Sequence, residues 1–389
     1  MEKLGLQSPY LNQLTHEDCL VRVEKFIHQF EATTPLHLAA SWDNVGWQVE
    51  PGIALEEARV LVCLTPTFSV LEEAADEGFN LVFAHHPLIF TPLKSLHPKT
   101  PVGQAVHLAY TKGIGVYSAH TNFDQVVEGT ADTLSTLLGL SACEPLEPYP
   151  EKFFKLVTFV PADAREVVLE TLWEAGAGQV GEHYNRCSYW SAGTGTFCAL
   201  EGSHPAIGVA GDNQVAEDRL EVLVSETCRS TVLQALQLAH PYEEPAYELY
   251  AVEPPASAIG YGRVGLLPEP QTLEEALQLI RLQLDQPHLI TSPAALDRKV
   301  HKVAVLGGSG GSFIPQAHRH QVDLYLTSDC KFHQFQEAME RSIVLVDAGH
   351  YATERPACKR LVERFQAWGV QARLSSQDRD YIVHSLPSL

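Results

Sequence analysis

Apolar runs alternate with amphipathic stretches through the first third of the chain. ARVLVCL at 58–64 is a continuous β-rich run, SVLEEAADEG reads as helix, and FNLVFAHHP returns to an apolar run stopped by Pro87. That order predicts a βαβ unit. A second unit follows, with PVGQAVHLAYTKG as a helix opened by Pro101 and GVYSAH as the next strand. Apolar runs separated by helices predict a parallel or mixed sheet covered on both faces.

The pattern changes between Glu144 and Phe153, where EPLEPYPEKF concentrates proline and charge and predicts a domain boundary. Beyond it, FKLVTFVP reads as strand, ADAREVVLETLWEAG as helix and GQVGEHYNRCSYW as strand. A glycine-containing bend and GTFCAL follow, then RLEVLVS as strand, TVLQALQLAH as helix and AYELYAVE as strand. The order is close to β-α-β-β-α-β, a ferredoxin-like α+β arrangement with two helices on one sheet face.

PPASAIGYGRVGLLPEPQ reads as a return linker. After it KVAVLGGSGGSF, QVDLYLTSD, the helical KFHQFQEAMER and SIVLVDAGH restore the α/β pattern. The chain ends therefore read as two parts of one α/β domain, 1–148 and 262–389, interrupted by an inserted domain at 152–254.

At 389 residues the chain is long enough for two to three domains, and 45% hydrophobic residues argue against wholesale disorder. Twenty-seven basic against 48 acidic residues give a net charge of −21. That balance repels phosphate backbones and anionic lipid, and no basic patch offsets it, so neither nucleic acid nor membrane is an expected partner. The opening MEKLGLQSPYLNQ lacks the features of an export or import signal, and a cytoplasmic location is expected. Cys19, Cys63, Cys143, Cys187, Cys198, Cys228, Cys330 and Cys358 are scattered without a CxxC pair. Reduced, mostly core cysteines are expected, and neither a disulfide framework nor a thiolate zinc site.

Histidine and carboxylate placement carries the chemistry. His85 and His86 end an apolar run just before Pro87, where a turning chain can bring both imidazoles to a crevice and onto metals. One packed and one exposed histidine is the competing reading. Ser118 through Asp124 also follows a strand. There Asp124 can bridge cations while His120 and Asn122 position water or neighbouring ligands, or the same residues simply cap a turn. In the third segment, His350 follows SIVLV and Glu354 lies four residues on, so a helix starting near Tyr351 brings both toward one site. Convergence of the three strand ends at the carboxyl edge of one sheet favours a shared metal site over three unrelated turns.

Other features are weaker. Gly307 through Ser312 can expose backbone N–H groups to an anion or serve as a tight strand-to-helix connection; it has neither a Walker loop nor a dinucleotide fingerprint. Asp329 and His333 form a polar pair across a helix start, and His318 and His320 read as a solvated helix face. No cysteine has a compelling histidine partner in the sequence.

Taken in order, Trp42-Asp43-Asn44-Val45-Gly46, His85-His86-Pro87, Ser118 through Asp124 and Gly349-His350-x-x-Thr353-Glu354 resemble the Nif3-like, or DUF34, family of dinuclear-metal proteins across nearly the whole chain. The resemblance implies that His85, His86, Asp124, His350 and Glu354 are the protein ligands of two divalent metal ions. Gly181-x-His183-Tyr184, Gly193-x-Gly195-Thr196-Phe197 and His240 through Tyr247 resemble the inserted domain of the longer members, which is similar to the PII and CutA1 group. A structural hydrogen-bonding role is expected for His183 and His240 ahead of a second ion site. The resemblance further implies a toroidal homohexamer. Trp47, Glu50, Thr65 and Ser328 depart from the family's common residues, and are expected around the pocket rather than among the ligands.

Members of this family carry a GTP cyclohydrolase name, which is weak guidance to the reaction. The ligand set points to a metal-dependent hydrolase of a nucleotide or other phosphorylated small molecule, with His120, Asp329 or His333 helping to transfer a proton. The competing class is a non-catalytic metal- or ligand-responsive regulatory protein. Zinc, iron, manganese, cobalt and nickel all suit imidazole and carboxylate ligands.

Overall fold

The computed structural model describes residues 22–50, 57–150, 152–181, 183–253 and 258–383. The sequence readings at the N-terminus, at Cys19 and at the Pro254–Ser257 start of the return linker lie outside them. The chain forms two compact units, one from residues 1–149 and 258–389 and the other from 150–257.

The first unit holds a five-stranded and a six-stranded sheet. In the five-stranded sheet Gln371–Leu374, Arg59–Cys63, Leu81–Ala84 and Gly115–Ser118 run parallel, and Gly46–Val49 closes the edge antiparallel. Both faces are covered, as continuous apolar strands require. On one face Val70, Leu71 and Ala74 of the helix Phe68–Glu77 and Ala105 and Ala109 of Pro101–Lys112 pack on Leu61, Val82 and Val116. On the other, Phe26 and Phe30 of Val23–Thr33 and Phe365 of His350–Ala367 meet Phe83 edge-on, with ring centroids 4.8–6.2 Å apart. Pro101 stands in the first turn of its helix, whose Thr100 cap accepts from the Gly103 N–H.

The six-stranded sheet runs Ile290–Thr291, Val344–Asp347, Leu324–Ser328, Lys299–Ser309, Arg263–Thr272 and Ser141–Glu144; the Val344, Leu324 and Lys299 strands pair in parallel and the other neighbours pair antiparallel. The three sequence signals thus stand at strand ends of two sheets, whereas the sequence suggested one. The helix His350–Ala367 joins them: it follows the Val344–Asp347 strand, and after Gly369 the chain enters the other sheet as Gln371–Leu374.

The second unit is a four-stranded antiparallel sheet in the order Tyr247–Val252, Phe153–Val160, Gly211–Ser225, Ser188–Ala199. Its helices Arg165–Glu174 and Arg229–Ala239 bury Val168, Leu172, Val232 and Leu236 against Leu156, Leu220, Val222 and Val224. This is the ferredoxin-like arrangement. One difference stands out: the strand expected over 178–190 begins only at Ser188, and then runs unbroken through the anticipated glycine bend to Ala199. Twelve residue pairs with Gly211–Ser225 hold Gly193 and Gly195 extended, so the ladder overrides the local preference for a turn.

Of the seven described cysteines all are free, but only Cys63 and Cys358 are buried, so the core location holds for two. Among the described residues no helix is long and apolar enough to cross a membrane.

Candidate metal centre

His85 and His86 follow the strand Leu81–Ala84, and Asp124 sits in the short helix Thr121–Gln125 after Gly115–Ser118. From the other sheet come His350 and Glu354. Gly349, at φ +84, turns the chain so that the helix begins at His350, placing the two side chains one turn apart on one face. Glu354 is the hub. Its Oε2 lies 2.9 Å from Nε2 of both His86 and His350, and its Oε1 lies 3.7 Å from His85 Nε2. Asp124 Oδ1 is 3.6 Å from His85 Nε2, and the Nε2 atoms of His86 and His350 are 3.2 Å apart.

Each imidazole is held by its other nitrogen. His85 Nδ1–H donates to the Ala119 carbonyl at 2.9 Å, and His350 Nδ1–H to Asp329 Oδ2 at 2.8 Å. His86 Nδ1 is 2.9 Å from the Thr65 hydroxyl. A carbonyl only accepts, so a neutral His85 carries its proton on Nδ1 and presents a lone pair at Nε2. That lone pair is 1% exposed in its residue, has no hydrogen-bond partner and faces two carboxylates. Lone pairs repel across such distances unless positive charge lies between them. The donor set of imidazole nitrogens and carboxylate oxygens therefore fits divalent cations, and His86, His350 and Glu354 have the proximity that one ion requires.

Electrostatics point the same way. Burial pulls the His85 imidazole down, but Asp124 and Glu354 outweigh it and hold it up at about 9. Burial likewise opposes His350, which Glu354 and Asp329 push up to about 9. For His86 burial wins and its pKa falls. Burial raises the Asp124 carboxyl; it would raise Glu354 too, but His85, His350 and His86 hold that group well below the usual carboxylate range. The cluster is short of positive charge, and gathers protons where cations would serve.

His120 borders the cluster, with a ring nitrogen within 4.8 Å of those of His85 and His86. Its Nδ1 is 2.9 Å from Asp43 Oδ1, and Asp43 Oδ2 accepts from the Thr121 N–H at 3.0 Å and its hydroxyl at 2.5 Å. Burial would raise the Asp43 carboxyl, but these bonds from His120 and Thr121 outweigh it and hold it at about 2. Asp43 was not among the residues assigned a chemical role from sequence. Its signal was the Trp42-Asp43-Asn44-Val45-Gly46 motif just before the strand Gly46–Val49.

Asp329 is paired with His350, not with His333, whose exposed ring lies against Phe332 at 5.5 Å. Asn122, fully buried, accepts from the His120 N–H at 3.1 Å and fixes the turn into the Thr121 helix. The Gly307–Ser312 stretch is the strand-to-helix connection: Gly308 N–H donates to Thr353 Oγ1, and the Gly308 and Gly310 carbonyls accept from Thr327 and Tyr325. His318 is exposed, and His320 bonds Glu144 and the Leu146 carbonyl. His183 is exposed; His240 uses both ring nitrogens, toward the Phe159 carbonyl and the Tyr242 N–H. Trp47 packs edge-on against Tyr117 in the core, and Ser328 is buried with its hydroxyl unpaired.

An α/β domain whose two sheets bring histidines and carboxylates to one buried cluster defines a candidate metal-binding protein. The chain belongs to the Duf34/NIF3 (NGG1p interacting factor 3) family, whose model matches residues 21–380. It is 38% identical over 338 residues to the "GTP cyclohydrolase 1 type 2 homolog" of Nostoc sp., covering 86% of this chain and 88% of that protein. The Bacillus subtilis protein of the same name is 36% identical over 362 residues, covering 92% and 94%. Among solved structures, the Bacillus cereus protein related to NIF3 is 35% identical, with a TM-score of 0.74 over 94% of this chain and 100% of that one. Staphylococcus aureus SA1388, at 24% identity and TM-score 0.79 over 94% and 99%, shares the fold.

Proposed function

We propose that His85, His86, Asp124, His350 and Glu354 hold two divalent metal ions, and that the chain uses them to hydrolyse a nucleotide or other phosphorylated small molecule. The carrying observation is His85 Nε2, buried, unpartnered and aimed between two carboxylates. When bound, the cations supply Lewis-acid polarisation of a substrate oxygen and stabilise the charge developing on it. Zinc, iron, manganese, cobalt and nickel all suit these ligands.

The remaining roles belong to the chain. Ala119, Thr65 and Asp329 orient the three imidazoles, which makes Asp329 a positioning residue for His350. Asp43 engages His120 Nδ1, leaving Nε2 to accept or return a proton. The name shared by the relatives puts purine nucleotides first among substrates to screen. The family resemblance supports a cytoplasmic homohexamer, which sedimentation of the untagged protein tests.

Elemental mass spectrometry on untagged protein is the first test, beside the double variant His86→Ala, Glu354→Ala. About two metal equivalents per chain, lost in the variant, with metal-dependent product from a nucleotide panel, is the expected result. Metal binding without turnover would leave a regulatory protein, and no metal after reconstitution would end the proposal.

A further inference from the structure

Two large aromatic side chains stand in solvent beside the cluster. Trp42 is 62% exposed and Phe90 54% exposed, with ring centroids 5.9 Å apart and planes tilted by 59°. Both also meet His120, at 6.1 and 6.4 Å, and His120 is 5.2 Å from His85 and 5.6 Å from His86. Trp42 is therefore two ring-to-ring steps from a proposed metal ligand.

Their positions are built. Asn44 donates from Nδ2 to the Ile89 carbonyl at 2.7 Å, and Gln48 Oε1 accepts from the Ile89 N–H at 3.2 Å, so the segment carrying Trp42 is tied to the one carrying Phe90. Between them Asp43 grips His120. Three consecutive residues thus provide an aromatic ring, an anchor for the proton-carrying histidine and a clamp on the facing loop. Indole and phenyl rings left this exposed keep a face free for a flat partner, and with their planes tilted by 59° a planar ring that stacks on one meets the other edge-to-face.

We propose that Trp42 and Phe90 are a stacking platform for a planar heteroaromatic ring of the substrate, whose phosphate end reaches the metal cluster. The inference rests on the hydrolase reading of that cluster and narrows its substrate to a ring-bearing phosphate, such as a nucleotide. Polar edges of the ring then face water or the loop, and the platform selects for flatness rather than for one base.

The test is calorimetric titration of metal-reconstituted full-length protein with two probes, guanosine 5′-monophosphate and ribose 5-phosphate, which differ by the ring. The parent is expected to bind the nucleotide about tenfold tighter or more, as base stacking on aromatic side chains provides. Trp42→Ala and Phe90→Ala should each erase most of that preference and leave ribose 5-phosphate binding and metal content unchanged, while Trp42→Phe retains it. Equal affinity of the parent for both probes, failure to bind either, or variants that weaken both equally would overturn the platform. So would an unchanged ring preference in variants whose assembly state alone is altered, because the rings would then be subunit contacts. The metal analysis reads the centre separately: full metal content without ring preference defeats the platform alone, and absent metal defeats the hydrolase reading on which it rests.

Discussion

The carboxylate of Glu354 occupies the space that a side chain at Gly308 would need. A Cβ placed there would collide with Glu354 Oε1, and Gly308 itself sits at φ +66. The strand Lys299–Ser309 thus makes room for the hub of the cluster by carrying no side chain at that position. Gly308→Ala should lower stability by about 2 kcal/mol, from backbone strain and displaced carboxylate together, and should reduce bound metal. Gly369→Ala is the control. Gly369 has φ +80 but open space around its Cβ direction, so it should cost about 1 kcal/mol in strain and leave metal content intact. Thermal melts paired with elemental analysis decide the matter; equal metal content in the two variants would contradict the steric argument.

Asp329 acts on the cluster only through His350. It is largely exposed, with φ +55, a conformation that asparagine also tolerates, so Asp329→Asn should fold normally. Losing the carboxylate acceptor of His350 Nδ1–H should weaken zinc affinity by about 10–100-fold, the usual effect of removing a residue that orients a metal-binding histidine. Competition against a chelating dye measures this directly. His333→Ala, on the exposed face of Phe332–Glu340, should leave the affinity unchanged.

What the sequence revealed here is local chemistry. His85-His86-Pro87 at a strand end and His350 four residues before Glu354 are short-range patterns, and the helix beginning at His350 turns the second into a shared face. The pairing of the two was not local, since His86 meets Glu354 across 268 residues and from another sheet. Apolar runs predict strands but not which sheet they join. Asp43 was hidden for the same reason: its partner His120 lies 77 residues away, and an acid near a tryptophan has no periodicity to betray it. The Ser188–Ala199 strand shows the reverse case, in which glycines that locally favour a bend are held straight by a neighbouring strand.

Glu73 ties the helix Phe68–Glu77 to the chain leaving the Gln371–Leu374 edge strand. Its buried carboxylate accepts from the Ser375 hydroxyl, from the Ser376 N–H at 2.9 Å and hydroxyl at 2.8 Å, and from Arg373 Nη1 at 2.8 Å. Burial would raise its pKa, but these bonds, Ser375 first, hold it at about 2 against an ordinary 4.5. Between those values the unfolded chain binds the proton and the folded one does not. The contribution, about 2–3 kcal/mol, is therefore complete above pH 4.5 and lost as pH falls toward 2. Glu73→Gln should destabilise the protein at pH 7 and flatten its acid dependence through that window. Denaturant titrations at several pH values provide the readout, and parallel curves for parent and variant would refute it.

The Asp43–His120 pair makes the sharpest distinction between metal binding and proton transfer. Asp43 has a fully buried side chain and its carboxylate engages His120, Thr121 and the Asn44 N–H, none of them a proposed ligand. If His120 carries a proton during hydrolysis, His120→Ala should lower kcat by about 10²–10⁴-fold while two metals stay bound. Asp43→Asn should lower kcat in the same direction by freeing the ring to adopt either tautomer, and adding it to His120→Ala should cost little more, because the two residues act as one unit. Retained metal content and an unchanged thermal melt in both variants separate this from simple misfolding. Loss of metal in His120→Ala would instead make it a ligand, and full activity would remove it from the reaction.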